Sequence, residues 1–172
     1  MTPLAVLRQL SITNFVLIDR LDVEFDARLT ALTGETGAGK SIVLDALGLA
    51  LGARADSASV RAGERQADIR AEFDIVDNAA ACAWLEAQGE EAADHVVLRR
   101  VIDAAGKSRA QINGRPVAVA ELRELGGLLL ELHAQHEQQA LLAATTQRAL
   151  LDRYAGADAE AAAVRAAWLQ AR

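Results

Sequence analysis

A chain of 172 residues has the length of one ordinary domain, and 52% apolar content excludes wholesale disorder, with three Phe, two Trp and one Tyr leaving the core to Ala, Leu, Val and Ile. Eighteen basic against twenty-four acidic residues give a net charge of −6, which excludes a protein that coats nucleic acid through overall positive charge but leaves room for a local basic patch. The single Cys excludes an internal disulfide framework and fits a reducing compartment.

The first thirty-three residues read as strands. Leu7, Leu10, Ile12 and Phe15 alternate imperfectly, and Leu21, Val23 and Phe25 alternate cleanly. The apolar run Leu29 to Thr33 reads as a short strand that stops at Gly34. A glycine-rich turn follows, then a helical stretch from about Ser41 to Leu51. Gly52 to Gln66 reads as a loop, and Ala67 to Val76 as a half-exposed strand. Ala79 to Gln88 is an Ala-rich helix with Gly89 as its stop. His95 to Ile102 and Arg109 to Ile112 read as two strands joined around Gly106, and Asn113-Gly114 is a turn signal. Val119 to Leu125 reads as a short helix ending at Gly126-Gly127, with Leu128 to Leu132 a buried strand.

From Thr145 the pattern changes to a helix running to about Tyr154, a break at Gly156, and an Ala-rich, charged helix over 157–172. The fold class expected is α/β or mixed α+β. No apolar stretch reaches the roughly 20 residues of a membrane span, since the longest, Ile42 to Ala53, is interrupted by Asp45. The N-terminus lacks a signal-peptide pattern, so a soluble cytoplasmic chain is expected.

Gly34-Glu35-Thr36-Gly37-Ala38-Gly39-Lys40-Ser41 matches the phosphate-loop pattern G-x-x-x-x-G-K-[S/T] in full. The glycines let the backbone curl so that successive N–H groups point at phosphate oxygens, and the following helix adds the positive end of its dipole. Lys40 is placed to reach the β- and γ-phosphates, and the Ser41 hydroxyl to ligate magnesium. The chain uses sixteen Arg and two Lys, and one of those two is Lys40. A guanidinium is too broad to replace an ammonium in such a loop, so the composition itself supports the motif.

Nucleotide binding does not specify a reaction, because hydrolysis also needs a carboxylate for magnesium and the attacking water. Glu131, after Leu128-Leu129-Leu130, is the one candidate, and a self-contained P-loop NTPase or kinase built on it is the alternative reading. Leu125-Gly126-Gly127 hints at an ABC signature but nearly touches that acidic run, too close for the two to play their usual parts. His133, His136 and Glu137 are weak metal candidates without a second ligand cluster. They read better as part of a polar loop in which a Gln holds magnesium or water. Arg54 and Arg61 are candidate phosphate or nucleic-acid contacts, and Arg99, Arg100, Lys107, Arg109 and Arg115 form a basic cluster in sequence. Cys82, Trp84 and Trp168 are assigned to packing.

Three segments carry a family likeness: Leu10 to Asp19; Leu32 to Ser41 with Asp45-Ala46-Leu47 and Gly52 to Asp56; and Glu131 to Glu137. Together they resemble the SMC-like ATPases, in particular those of bacterial DNA repair. The sequence departs from that pattern at Ala134, where the family has Gly. The resemblance implies an ABC-type head split by a long antiparallel coiled coil. This chain would supply its N-terminal lobe (1–155) and the root of the coiled-coil helix (156–172).

It further implies ATP and Mg2+ as cofactors. The loop from Gly34 to Ser41, with Ile42 behind it, would hold the phosphates. Ser41 and Gln135 would hold magnesium, with Gln138 as the alternative to Gln135, and Asn14 and Arg61 would lie near the nucleotide. The implied partners are the C-terminal half of the same head, a second head, and DNA in the nucleoid, with no membrane.

Overall fold

The computed structural model describes residues 5–26, 29–33, 39–90, 94–130 and 132, together with 147, 148, 151, 154–157, 160, 163, 164, 167 and 168. The chain divides into two compact units, Met1–Leu132 and His133–Arg172.

The first unit is a mixed α+β layer built on one antiparallel sheet. Its strands are β1 (Val6–Phe15), β2 (Ile18–Glu24), β3 (Gln66–Asp74), β4 (His95–Asp103), β5 (Ser108–Ile112) and β6 (Arg115–Val117), in the spatial order β2-β1-β3-β4-β5-β6. Among the described residues the helices α1 (Lys40–Ala50), α2 (Ala79–Ala87) and α3 (Val119–Leu129) join them, with a 3-10 turn at Ser57–Ser59.

Period-two alternation puts one face of the sheet in the core. Leu10 and Ile12 lie opposite Ala71 and Ile69, and these lie opposite Leu98 and Arg100. All of them are buried. Ala46, Leu47, Leu49 and Ala50 of α1 and Leu122, Leu125 and Leu129 of α3 close this face. Each fully buried Leu, Ile or Phe contributes roughly 1.5–3 kcal/mol.

The imperfect alternation of β1 has two local causes. The register against β3 shifts between Leu7 and Gln9, an irregularity that re-phases the strand. Asn14 then takes a left-handed φ of 54°, which turns Phe15 back into the core at 2% exposure. The hairpin signal at Asn113-Gly114 is realised between β5 and β6, both residues having positive φ (49° and 82°) as a tight primed turn requires.

Three expectations are corrected. The helix expected to stop at Gly126-Gly127 continues to Leu129, so Leu128 and Leu129, expected to begin a strand, are helical. Leu122, Leu125, Gly126 and Leu129 form one buried stripe at spacings of three and four, and this stripe overrides the glycine pair as a break. Leu29 to Thr33 forms no strand, and Leu29 (96%) and Leu32 (53%) stand exposed, because no strand among the described residues runs beside them to complete a ladder.

The basic cluster around β4 and β5 is dispersed by the same alternation. Arg100 turns into the core at 2% exposure. Arg99 turns outward and donates through Nε to Asp68 Oδ1 at 3.0 Å. Arg115 pairs with Glu90 at 3.0 Å.

In the second unit, Gln147, Arg148, Leu151, Tyr154 and Ala155 are helical, Gly156 turns with φ 68°, and Glu160, Ala163, Val164, Ala167 and Trp168 are helical again. Trp168, assigned to packing, is 55% exposed, and the described residues Ala163, Val164 and Ala167 before it are exposed as well. No helix among the described residues is long and apolar enough to cross a membrane.

Candidate nucleotide-binding site

Lys40 and Ser41 open α1, as the phosphate-loop pattern requires. Gly39 precedes them in a left-handed conformation, φ 87°, which an L side chain rarely adopts. Its carbonyl accepts from the Val43 N–H at 3.2 Å, closing the first helical turn. Gly39, at the N-cap, brings no side chain to cap α1, and no acidic residue lies in the helix's first turn. The helix therefore presents amide donors and positive dipole with no carboxylate of its own first turn competing for them, which suits a phosphate anion. Ile42 is half-buried against the core and anchors the turn. Gly34, Glu35, Thr36, Gly37 and Ala38 lie outside the described residues, as do Glu131, His133, Gln135, His136, Glu137 and Gln138.

Gly39 and Lys40 line an open groove of about 460 Å³ together with Leu17, Asp19, Arg20 and Leu32. The fold thus sets the β1–β2 turn beside the start of α1. That turn is held in an unusual conformation. Asn14 (φ 54°) and Val16 (φ 50°) both have positive φ, and for a β-branched residue this is a true outlier. Strain of this kind costs about 1–3 kcal/mol and persists only where neighbours over-determine it. Here they do. The Val16 N–H donates to the Ser59 carbonyl at 3.0 Å, and the Arg61 N–H donates to the Asn14 carbonyl at 2.9 Å. Phe15 also forms a bridge to Val60.

Side chains reinforce the turn. Asn14 Nδ2 donates to Glu64 at 3.1 Å, and Arg61 pairs with Asp19 at 2.8 Å. Asn14 and Arg61, 47 positions apart in sequence, therefore meet, and through Asp19 they reach the groove that Lys40 lines. Leu17 and Asp19 lie in the Leu10–Asp19 segment of the family likeness but were given no role there, and Glu64 was not singled out; the strained turn brings all three to the site. Arg54 is exposed. Close by, Asp56 accepts from the Ala58 N–H and then from the Ser57 hydroxyl, bonds that hold its carboxyl below the usual range.

A larger concavity of about 750 Å³ lies on the outer face of the sheet, lined by Ser11, Arg20, Asp22, Asp68, Arg70 and Arg99 among others. Two of its three arginines pair with carboxylates of the same lining, Arg20 with Asp22 and Arg99 with Asp68, and Arg70 pairs with Glu72 outside it. Among the described residues no group of three or more His, Cys, Asp and Glu is placed to hold a metal.

The sequence profile of the AAA domain family matches residues 9–149. The chain belongs to this family. Within the AAA domain family it is similar to DNA repair protein RecN of Xylella fastidiosa (strain Temecula1), 45% identical over 162 residues, covering 94% of this chain and 29% of the relative. It is likewise 44% identical over 158 residues to DNA repair protein RecN of Bacillus subtilis, covering 91% of this chain and 27% of the relative. The chain spans less than a third of the length of these curated relatives.

Among solved structures, this AAA domain resembles a chain described under ATP-driven dimerization and DNA-stimulated activation of SMC ATPases. The TM-score is 0.65 at 21% identity, covering 85% of this chain and 97% of that one. The fold is that of an SMC ATPase head, as the sequence resemblance implied.

Proposed function

We propose that this chain is the ATP-binding, N-terminal half of an SMC-like head that acts in the repair of DNA double-strand breaks. The observation that carries this reading is the start of α1. A left-handed Gly39 is followed by Lys40 and Ser41 at a helix N-terminus without a side-chain cap, beside a groove walled by the β1–β2 turn. The similarity to RecN relatives supports the setting in DNA repair.

In this reading the backbone of Gly34 to Gly39 and the N-terminal amides of Lys40, Ser41 and Ile42 receive the phosphates, and the Lys40 ammonium pairs with the terminal ones. Asn14 and Arg61 shape the nucleotide side of the groove through the β1–β2 turn. The Ser41 hydroxyl and the Gln135 amide oxygen are hard oxygen donors of the kind magnesium takes. A bound magnesium ion would offset the negative charge of the phosphates.

The partner is the C-terminal half of the same head. The exposed apolar residues Leu29, Leu32 and Leu44, which flank the phosphate loop in sequence, support this, since each leaves apolar surface for a second lobe to bury. A completed head would pair with a second copy around ATP, and hydrolysis would separate them. The segment 156–172 serves as the root of the coiled coil that leads to the C-terminal half, and DNA is the substrate surface of the assembly.

The test is ATP hydrolysis by this chain alone and with the C-terminal half added. Activity is expected only in the mixture. Lys40→Ala is expected to weaken ATP binding by about tenfold or more, the loss of a charge-assisted hydrogen bond. Full turnover by the isolated chain would refute the half-head reading.

A further inference from the structure

The C-terminal end of α1 is held by a group from another helix. α1 has no basic residue in its last turn, so its own sequence leaves the partial negative charge of the terminal carbonyls without a local cation. Arg123 of α3 supplies one from 71 residues away. Its Nε and Nη2 both donate to the Gly52 carbonyl, at 3.1 and 3.0 Å. Both donors of one rigid, planar fork converge on a single acceptor, which fixes direction as well as distance.

The two helices meet here almost backbone to backbone. A Cβ added at Gly52 (φ 94°) would stand 2.7 Å from Arg123 Cα, and one added at Gly126 would stand 2.6 Å from the Leu51 carbonyl oxygen. Past the end of α3, Leu132 returns to α1, its Cδ1 3.7 Å from where a Cβ of Gly48 would lie. Arg100 is buried on the core face of β4, its Nη2 on Ser108 Oγ at 2.8 Å and its Nε and Nη1 without hydrogen-bond partners among the described residues. Burial first, and then the charge of Arg123, lower its pKa, so the two guanidiniums feel each other and an inward turn of Arg123 is opposed.

Gly52 lies about 18 Å along the helix axis from Lys40, by the rise of an α-helix. A helix of this length moves as a stiff rod, so a tilt imposed at one end appears at the other. We propose that Arg123 is a positioning residue that couples the phosphate-loop helix to α3, so that nucleotide bound at the Lys40 end of α1 stabilises α3 through the Arg123–Gly52 clamp. The inference rests on the reading of Lys40 and Ser41 as nucleotide ligands. It assigns α3, which leads through Leu132 into the segment carrying Gln135, the part of receiver for nucleotide occupancy.

The test is amide hydrogen exchange of the chain with and without Mg-ATP, read over Leu122 to Leu129. In the wild type, ATP is expected to slow exchange of α3 by about fivefold or more, the low end of ordinary site-to-site coupling. In Arg123→Ala the ATP-dependent slowing is lost while ATP still binds, and Arg123→Lys, which keeps the charge and one donor, recovers part of it. Arg123→Met preserves the apolar stem and carries the test if the Ala variant does not fold.

A merely structural role would speed exchange equally with and without nucleotide and leave the ATP-dependent ratio intact. A ratio that survives in the Met and Ala variants therefore overturns the inference. So does a wild type that binds ATP without any change in α3. A wild type that binds no ATP overturns the reading of the site itself, and the inference with it.

Discussion

Gly126 and Gly127 are neighbours in α3, and their substitution by Ala is expected to act with opposite sign. At Gly126 the new Cβ would stand 2.6 Å from the Leu51 carbonyl oxygen and 3.1 Å from its carbonyl carbon and Cα. Each of these atoms is backbone at the end of α1, so no side chain can swing aside. Overpacking of this kind costs about 1–3 kcal/mol, and a backbone obstacle puts it at the upper end. Replacing glycine within a helix returns about 1 kcal/mol, leaving a net loss of about 2 kcal/mol.

At Gly127 nothing lies within 4 Å of the new Cβ, and only the propensity gain of about 0.5–1 kcal/mol remains. The two variants should therefore differ by about 2–3 kcal/mol, with about 2–4 °C in Tm for each kcal/mol in a chain of this size. Urea denaturation followed by far-UV circular dichroism measures the difference as a shift in midpoint at constant slope. If Gly126→Ala proved as stable as Gly127→Ala, the close approach of α3 to Leu51 would be refuted. The account of why the helix runs through the glycine pair would fall with it.

Acid stability should depend on Asp74. The Arg8 guanidinium at 2.7 Å, and then the Val76 N–H, hold its carboxyl below the usual carboxylate range. The folded chain thus binds fewer protons there than the unfolded one. The stabilisation is complete above the unfolded pKa of about 3.9 and is lost as pH falls through the lower folded value. Asp74→Asn should flatten the decline of urea midpoint below about pH 4, and an unchanged decline would refute the assignment. Arg100→Met should be neutral or stabilising, because Met keeps the length of the stem and removes a buried charge with two unpartnered nitrogens. A clear loss of urea midpoint in that variant would show that the buried charge has a stabilising partner.

Much of the chain is legible from local spacing. The fixed positions of Gly34, Gly39, Lys40 and Ser41 announce a phosphate loop because each residue type serves backbone conformation or phosphate chemistry within eight residues. The structure then puts Lys40 at the first position of a helix. The alternation of Ala67 to Ile75 sets strand and buried face together, and Asn113-Gly114 sets its own turn. These features depend on neighbours in sequence, so sequence alone determined them.

Other features depend on neighbours in space. Leu29 to Thr33 has the composition of a strand, yet a strand exists only where another supplies its hydrogen bonds. Gly126-Gly127 looks like a stop but lies inside a helix, because close packing against Leu51 needs a residue without a Cβ there. The Arg99-Arg100 pair looks like one basic patch, but the pleat sends one guanidinium to Asp68 and the other into the core. The turn at Asn14 and Val16 is unfavourable in isolation and stands only because Ser59, Val60 and Arg61 bond to it from a distant loop. Local chemistry chose the elements of this protein. Which groups meet at the groove beside Lys40 was decided by backbone strain and close approach, which only contacts between distant segments can sustain.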